Sequence, residues 1–260
     1  QKHRNVALLA LAAILRPVSN MKLSPHAFGS REVHRDARVF ELFDAKLSKM
    51  IADIEEIQDL SMTIGIADLI QDDARRASYK HTLLPAHIGI TSPPYLNNLD
   101  YTMQTRLELF FLGFVKSMTQ LKELRKRMII CDAKAMYRDV HDLKYVEGIA
   151  SIRRVSKQLH ERLAHKNWGW DYSRMTLQYF GGMYRTLQNV SRMLWRGARF
   201  LLVVGESAHS GVFVPVPSII GEIGESLDYI VEDIRVQRKR RSSSHDFELA
   251  ESIVILRRKP

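Results

Sequence analysis

Hydrophobic spacing divides the 260 residues into helical and extended stretches. Residues 5 to 15 are rich in Ala and Leu, good helix formers, and Pro17 with Ser19 and Asn20 marks an end. Residues 21 to 35 carry Pro25, Gly29 and mixed charges and read as loop. Between 36 and 57, Val39, Phe40, Phe43, Leu47, Met50, Ile51, Ile54 and Ile57 recur at helical spacing, an amphipathic helix packing on something larger. Short apolar runs at 67–71 and 87–91 read as strands. From 102 to about 196 the pattern is helical, without strand signals. A strand follows at 199–204, a turn at Gly211, a helix over 217–227 with proline in its first turn, and strands at 229–237 and 251–256 joined by a basic, serine-rich loop. The fold class is α/β.

One stretch stands out. The apolar run Ile88-Gly89-Ile90-Thr91 stops at Ser92-Pro93-Pro94-Tyr95, where two prolines can neither donate to a ladder nor continue a helix. The chain there is rigid. In open α/β sheets ligands bind beyond the carboxyl ends of strands, so Ser92 offers polar atoms and Tyr95 a flat face to whatever enters.

Charge narrows the class of partner. A net charge of +10 favours polyanions, and 45% hydrophobic with 26% charged residues is the composition of a globular protein, not of a disordered tail. One cysteine, Cys131, excludes an intramolecular disulfide and a cysteine-cluster metal site, the usage of a reducing cytoplasm; its apolar neighbours make it a small buried hydrophobe. The longest apolar run, Val6 to Leu15, is too short to span a bilayer, so no membrane partner is expected. His141-Asp142 and His160 to His165 have no metal-selecting spacing and read as surface helix residues. Ser207 and His209 lie close in sequence, but no nucleophile-elbow pattern surrounds them.

Ser92-Pro93-Pro94-Tyr95 resembles the signature tetrapeptide of the amino-group DNA methyltransferases, and the wider run T-S-P-P-Y-L-N-N-L-D-Y, Thr91 to Tyr101, is similar to a subgroup of that family. Arg106-Leu107-Glu108-Leu109-Phe110-Phe111-Leu112-Gly113 resembles the segment that follows. The resemblance implies S-adenosylmethionine as cofactor, DNA as partner, and methylation of an exocyclic amine, with cytosine N4 favoured over adenine N6 because serine stands at 92. It implies that the Ser92 hydroxyl and the carbonyl between Ser92 and Pro93 accept hydrogen bonds from the amine, that Pro93 and Pro94 fix those acceptors, and that Tyr95 stacks on an extruded base. Asp73 and Ala74, in Asp72-Asp73-Ala74-Arg75, with Thr91 and Ser92, are the implied cofactor contacts. Tyr95, Tyr101 and the cations Arg238, Lys239, Arg240 and Arg241 are the expected DNA contacts, the four cations in a loop between the last two strands.

On this reading residues 1–60 are N-terminal helices packing on the sheet, 61–101 and 197–260 the methyltransferase core strands, and 102–196 a large helical insertion for target recognition. The insertion carries cationic and aromatic runs at 122–127, 153–166 and 168–172. The family's glycine-rich cofactor turn has no match: residues 203–211 follow a strand and hold two glycines, Gly205 and Gly211, at the wrong spacing. The expected fold is therefore a Rossmann-like sheet lacking its first strands, with the turn upstream of Gln1 or on a second chain. Two alternatives stand beside it, an RNA amino-group methyltransferase and the non-catalytic DNA-binding half of a split enzyme.

Overall fold

The computed structural model describes residues 2–20, 37–60, 65–76, 85–137, 140–164, 170–242 and 246–260. It forms two compact units, residues 1–69 with 100–125, and residues 70–99 with 126–260.

The first unit is helical. α1 (Lys2–Val18) and α2 (Val39–Asp59) pack on one another, and α1 also meets α4 (Arg106–Phe111). Arg16 of α1 donates to Glu108 at 2.6 Å and to the Gln104 carbonyl at 2.7 Å. α1 ends at Val18, between Pro17 and Ser19, where the sequence marks an end. The expected helix of residues 36–57 is α2, but none of its residues is buried. α3 (Tyr101–Gln104) starts at Asp100, whose carboxylate accepts from the amides of Thr102 and Met103, and most of α5 (Met118–Lys126) completes the unit.

The second unit is built on a four-stranded sheet of order β1 (Ala86–Thr91), β2 (Leu194–Gly205), β6 (Glu248–Arg258), β5 (Tyr229–Arg241). β1 and β2 run parallel; β6 is antiparallel to both neighbours. Phe200, Leu202, Val204, Val254 and Leu256 are buried on one face. α7 (Tyr172–Ser191) and α8 (Val216–Ser226) bury their apolar sides in this core, and the Tyr229 hydroxyl donates to the Leu187 carbonyl at 2.9 Å. α6 (Ala150–Leu163) packs on α7. Between β2 and α8 lies a small hairpin, β3 (Ser207–His209) and β4 (Val212–Val214), turning at Ser210 and Gly211, both at positive φ. The turn expected at Gly211 is there, as is the proline in the first turn of α8.

Four expectations need correction. Residues 67–71 form no strand; Leu69 is 96% exposed, and a five-residue stretch without a partner strand among the described residues has nothing to hold it extended. β2 begins five residues earlier than its apolar core, because Leu194 already pairs with Ala86. β5 continues to Arg241, so Arg238 to Arg241 are not in a loop: each pairs with a residue of β6, from Arg238 opposite Glu251 to Arg241 opposite Glu248. Cross-strand acids supply the countercharge that makes a cationic strand tolerable. Finally, Asp142 is not a surface residue but is 3% exposed. The loop expected at 21–35, and His165 to Gly169, lie outside the described residues.

The helical stretch 102–196 ends in the most buried helix of the chain, α7. Gly181 explains how it gets there: a Cβ at this position would sit 2.0 Å from the Asp142 carbonyl oxygen. The bare helix face admits the backbone of residues 142–145, which Gln178 ties down by donating to the Val140 carbonyl at 2.6 Å and accepting from the Leu143 amide at 3.1 Å. Gly181→Ala is expected to destabilise the protein by about 3 kcal/mol or more, since backbone and not a flexible side chain must yield, measured by urea unfolding.

Candidate functional site

The carboxyl end of β1 is fixed by side chains from two other elements, α7 and β3. Prolines at 93 and 94 leave no N–H for a ladder, so the carbonyls beyond them must be satisfied otherwise. The Tyr179 hydroxyl of α7 donates to the Pro94 carbonyl at 2.8 Å. The Leu96 carbonyl faces two groups of β3: the Ser207 hydroxyl donates to it, and His209 Nε2 lies 3.0 Å away. His209 Nε2 is also 3.0 Å from Ser207 Oγ, and its ring stacks on Tyr172 at 4.9 Å. Ser207 and His209, both buried, are anchors of the strand exit.

Within this frame Ser92 is exposed, its hydroxyl 3.5 Å from the Val203 carbonyl, and Pro93 is buried. Tyr95 is half-buried. One edge of its ring lies over Gly205, where a Cβ would come within 3.2 Å of it, and its hydroxyl donates to Glu251 Oε2 at 3.0 Å. Burial raises the Tyr95 pKa; the Ser92 hydroxyl acts the other way, and the Glu251 carboxylate adds to the rise. Glu251 in turn accepts from Arg238, at 2.8 Å to Nε and 3.0 Å to Nη2. Tyr95 and Arg238, far apart in sequence, thus meet at Glu251, which sequence reading passed over as an ordinary strand residue. The signal that could have found it is strand pairing, which sets Glu251 between Gly205 and Arg238.

Two more cations of this strand are paired. Lys239 lies 2.8 Å from Glu248 and Arg241 3.5 Å from Asp246. Tyr101 belongs to the other unit, as the first residue of α3 beside its Asp100 cap.

Asp73 and Ala74 sit in a turn whose polar atoms are spent internally. Arg75 grips Asp73 through Nε at 3.0 and 3.2 Å and Nη2 at 2.8 Å, and Asn189 donates to the Ala74 carbonyl at 3.0 Å. Arg75 also reaches Asp142 Oδ2 at 2.7 Å, and Arg185 reaches Asp142 Oδ1 at 2.6 Å. Two carboxylates and two guanidiniums balance one another there, with Arg75 and Asp142 side chains 7% and 5% exposed.

Comparison with known proteins finds methyltransferases. Over 211 residues, 74% of this chain, it is 26% identical to the Type II methyltransferase M.BsoBI of Geobacillus stearothermophilus, covering 41% of that protein. Over 155 residues, 56% of the chain, it is 30% identical to the Type II methyltransferase M.AvaI of Nostoc sp. and equally to that of Anabaena variabilis, covering 31% of each. The chain is similar to Type II methyltransferases. It spans well under half the length of these relatives. No family model matches the chain, and a search of solved structures gives no significant match.

A mixed α/β sheet with parallel and antiparallel pairs is compatible with a methyltransferase fold. Among the described residues no His, Cys, Asp or Glu cluster could hold a metal, and no helix is long and apolar enough to cross a membrane. Cys131 is buried, its thiol 3.4 Å from the Leu99 carbonyl.

The Asp73 turn has a pH signature. Burial by itself would raise the Asp73 pKa, but hydrogen bonds and charge from Arg75, with Arg76 adding, bring it below the ordinary value. A carboxyl lowered in the folded state contributes stability at pH above its unfolded pKa, and loses it as pH falls through the folded value. Asp73→Asn is therefore expected to be less stable than wild type at pH 7, with the gap closing below about pH 3.8, followed by urea unfolding across that range.

Proposed function

We propose that this chain is the target-base part of a site-specific DNA methyltransferase acting on an exocyclic amino group, cytosine N4 in preference to adenine N6. The similarity to Type II methyltransferases supports the general reading. The observation that carries it is the rigid strand exit: an exposed hydroxyl and a half-buried aromatic ring are held side by side by a proline pair, with the Pro94 and Leu96 carbonyls satisfied from behind.

An amine conjugated to a base ring is a weak nucleophile because its lone pair is delocalised. Ser92 can give its proton to the Val203 carbonyl and turn its lone pairs to the amine, with the Ser92 carbonyl as second acceptor, drawing the nitrogen towards tetrahedral geometry. Those acceptors are in place before substrate arrives, which is what makes electrostatic stabilisation effective. Tyr95 offers its ring to a base swung out of the duplex, offsetting some of the few kcal/mol of unstacking. Arg238, Lys239, Arg240 and Arg241 provide cations for the phosphates, Lys239 and Arg241 by exchanging a carboxylate partner for DNA and Arg238 while it keeps Glu251. Tyr101 is kept as a further DNA contact.

S-adenosylmethionine supplies the methyl group. Thr91 and Ser92 at the strand end fit a cofactor bound alongside. Asp73 and Ala74 fit less well, since Arg75 and Asn189 already hold their acceptors, and the space above Gly205 is filled by Tyr95. We assign the glycine-rich cofactor turn to a part of the full-length protein beyond these 260 residues or to a second chain. One feature favours that arrangement: the outer edge of β1 pairs with nothing among the described residues, and on the sheet face Ile88 and Ile90 are 54% and 71% exposed, where a complete parallel sheet is covered. Restriction protection in the cytoplasm is the setting this reading implies.

The test is transfer of labelled methyl from S-adenosylmethionine to DNA by the full-length protein, with nucleoside analysis separating N4-methylcytosine, N6-methyladenine and methylated RNA. Tyr95→Ala is expected to lower kcat at least about a hundredfold with duplex affinity nearly intact, because stacking acts after docking. Wild-type rates in that variant would overturn the pocket. Replacing Arg238, Lys239, Arg240 and Arg241 together by Ala is expected to weaken binding to all DNA sequences alike. The slope of log affinity against log salt should flatten by about one to three, fewer than four contacts' worth because carboxylates already neutralise three of the cations.

A further inference from the structure

Gly205, Glu251 and Arg238 form one cross-strand row, from β2 through β6 to β5. Tyr95 is laid across this row: its ring edge rests on the glycine and its hydroxyl reaches the next strand. An aromatic side chain has two torsions, and two separated constraints fix both. The glycine supplies the first, a floor that any Cβ would lift, and the carboxylate supplies the second.

We infer that Glu251 is the positioning residue for Tyr95, holding its ring in the orientation that receives a target base, with Arg238 as the counter-ion that keeps Glu251 in place; the catalytic consequence rests on the methyltransferase reading above. The Glu251 side chain is only 16% exposed, and a carboxylate so enclosed needs a charged partner. Arg238 meets both of its oxygens. An ionised carboxylate only accepts, so the phenol must donate to it, and the direction of the bond sets the direction of the ring. Hydrogen bonds and charge from Arg238, and the bond from Tyr95, lower the Glu251 pKa despite partial burial, in agreement with this geometry. Arg238 is itself 70% exposed in its side chain and belongs to the cationic strand assigned to DNA, so the row links a phosphate contact to the aromatic face two strands away.

Two measurements test this. The first needs no activity: urea unfolding of Glu251→Ala, Tyr95→Phe and the double variant. Coupling is expected, the double variant losing less stability than the two single losses added; simple addition would overturn the contact. The second is kinetic, in the full-length protein. Glu251→Ala is expected to lower kcat about 10- to 100-fold with KM for DNA changed less than about threefold, and Glu251→Gln, which still offers an oxygen to the phenol, to recover most of it. An unchanged kcat in Glu251→Ala, or loss of KM alone in both variants, would overturn the positioning role. Absence of methyl transfer in the wild type would overturn the methyltransferase reading and the catalytic consequence with it, while coupled unfolding would still bind Glu251 to Tyr95.

Discussion

Two prolines at the end of β1 set the problem that much of the second unit solves. They stop the strand and remove two N–H groups, leaving carbonyls that point inward without ladder partners. Tyr179 answers one from α7, and Ser207 with His209 answers the other from β3. Each of those groups is buried, so each is costly to move or to leave unpaired. The exposed hydroxyl of Ser92 and the ring of Tyr95 are held still because their backbone is held from behind. Rigidity at the surface is a product of hydrogen bonding underneath it.

The sheet then decides what lies beside that exit. β1 pairs with β2, β2 with β6 and β6 with β5, and this order carries Gly205, Glu251 and Arg238 into one row under Tyr95. Glycine at 205 has a plain steric reason: it is where another residue's ring lies. The cations of β5 are likewise not a loop but part of a ladder in which Glu248 and Glu251 of the next strand supply countercharge.

Legibility followed the range of the forces involved. Elements with strong local periodicity or local stops, such as β6, α8, the Gly211 turn and the Ser92 to Tyr95 exit, could be read from neighbouring residues. What could not be read depended on partners. Residues 67–71 have strand composition but no strand beside them, and Arg238 to Arg241 have loop composition but acids opposite. Asp142 looked like a surface acid until two arginines from distant segments reached it, and Glu251 had no local mark at all. Composition gives a residue's preference, and pairing gives its place.

The Asp142 cluster also constrains the order in which the chain can assemble. Its ion pairs join residues 67 and 43 positions apart, so they form only after long loops have closed, whereas β5 and β6 pair across a short connection. The hairpin is placed to form early and the cluster to set late. By the same logic the turn around Asp73 and Arg75 is among the first parts to open in native-state fluctuations, and its amides should exchange with solvent ahead of the sheet to which it is fastened.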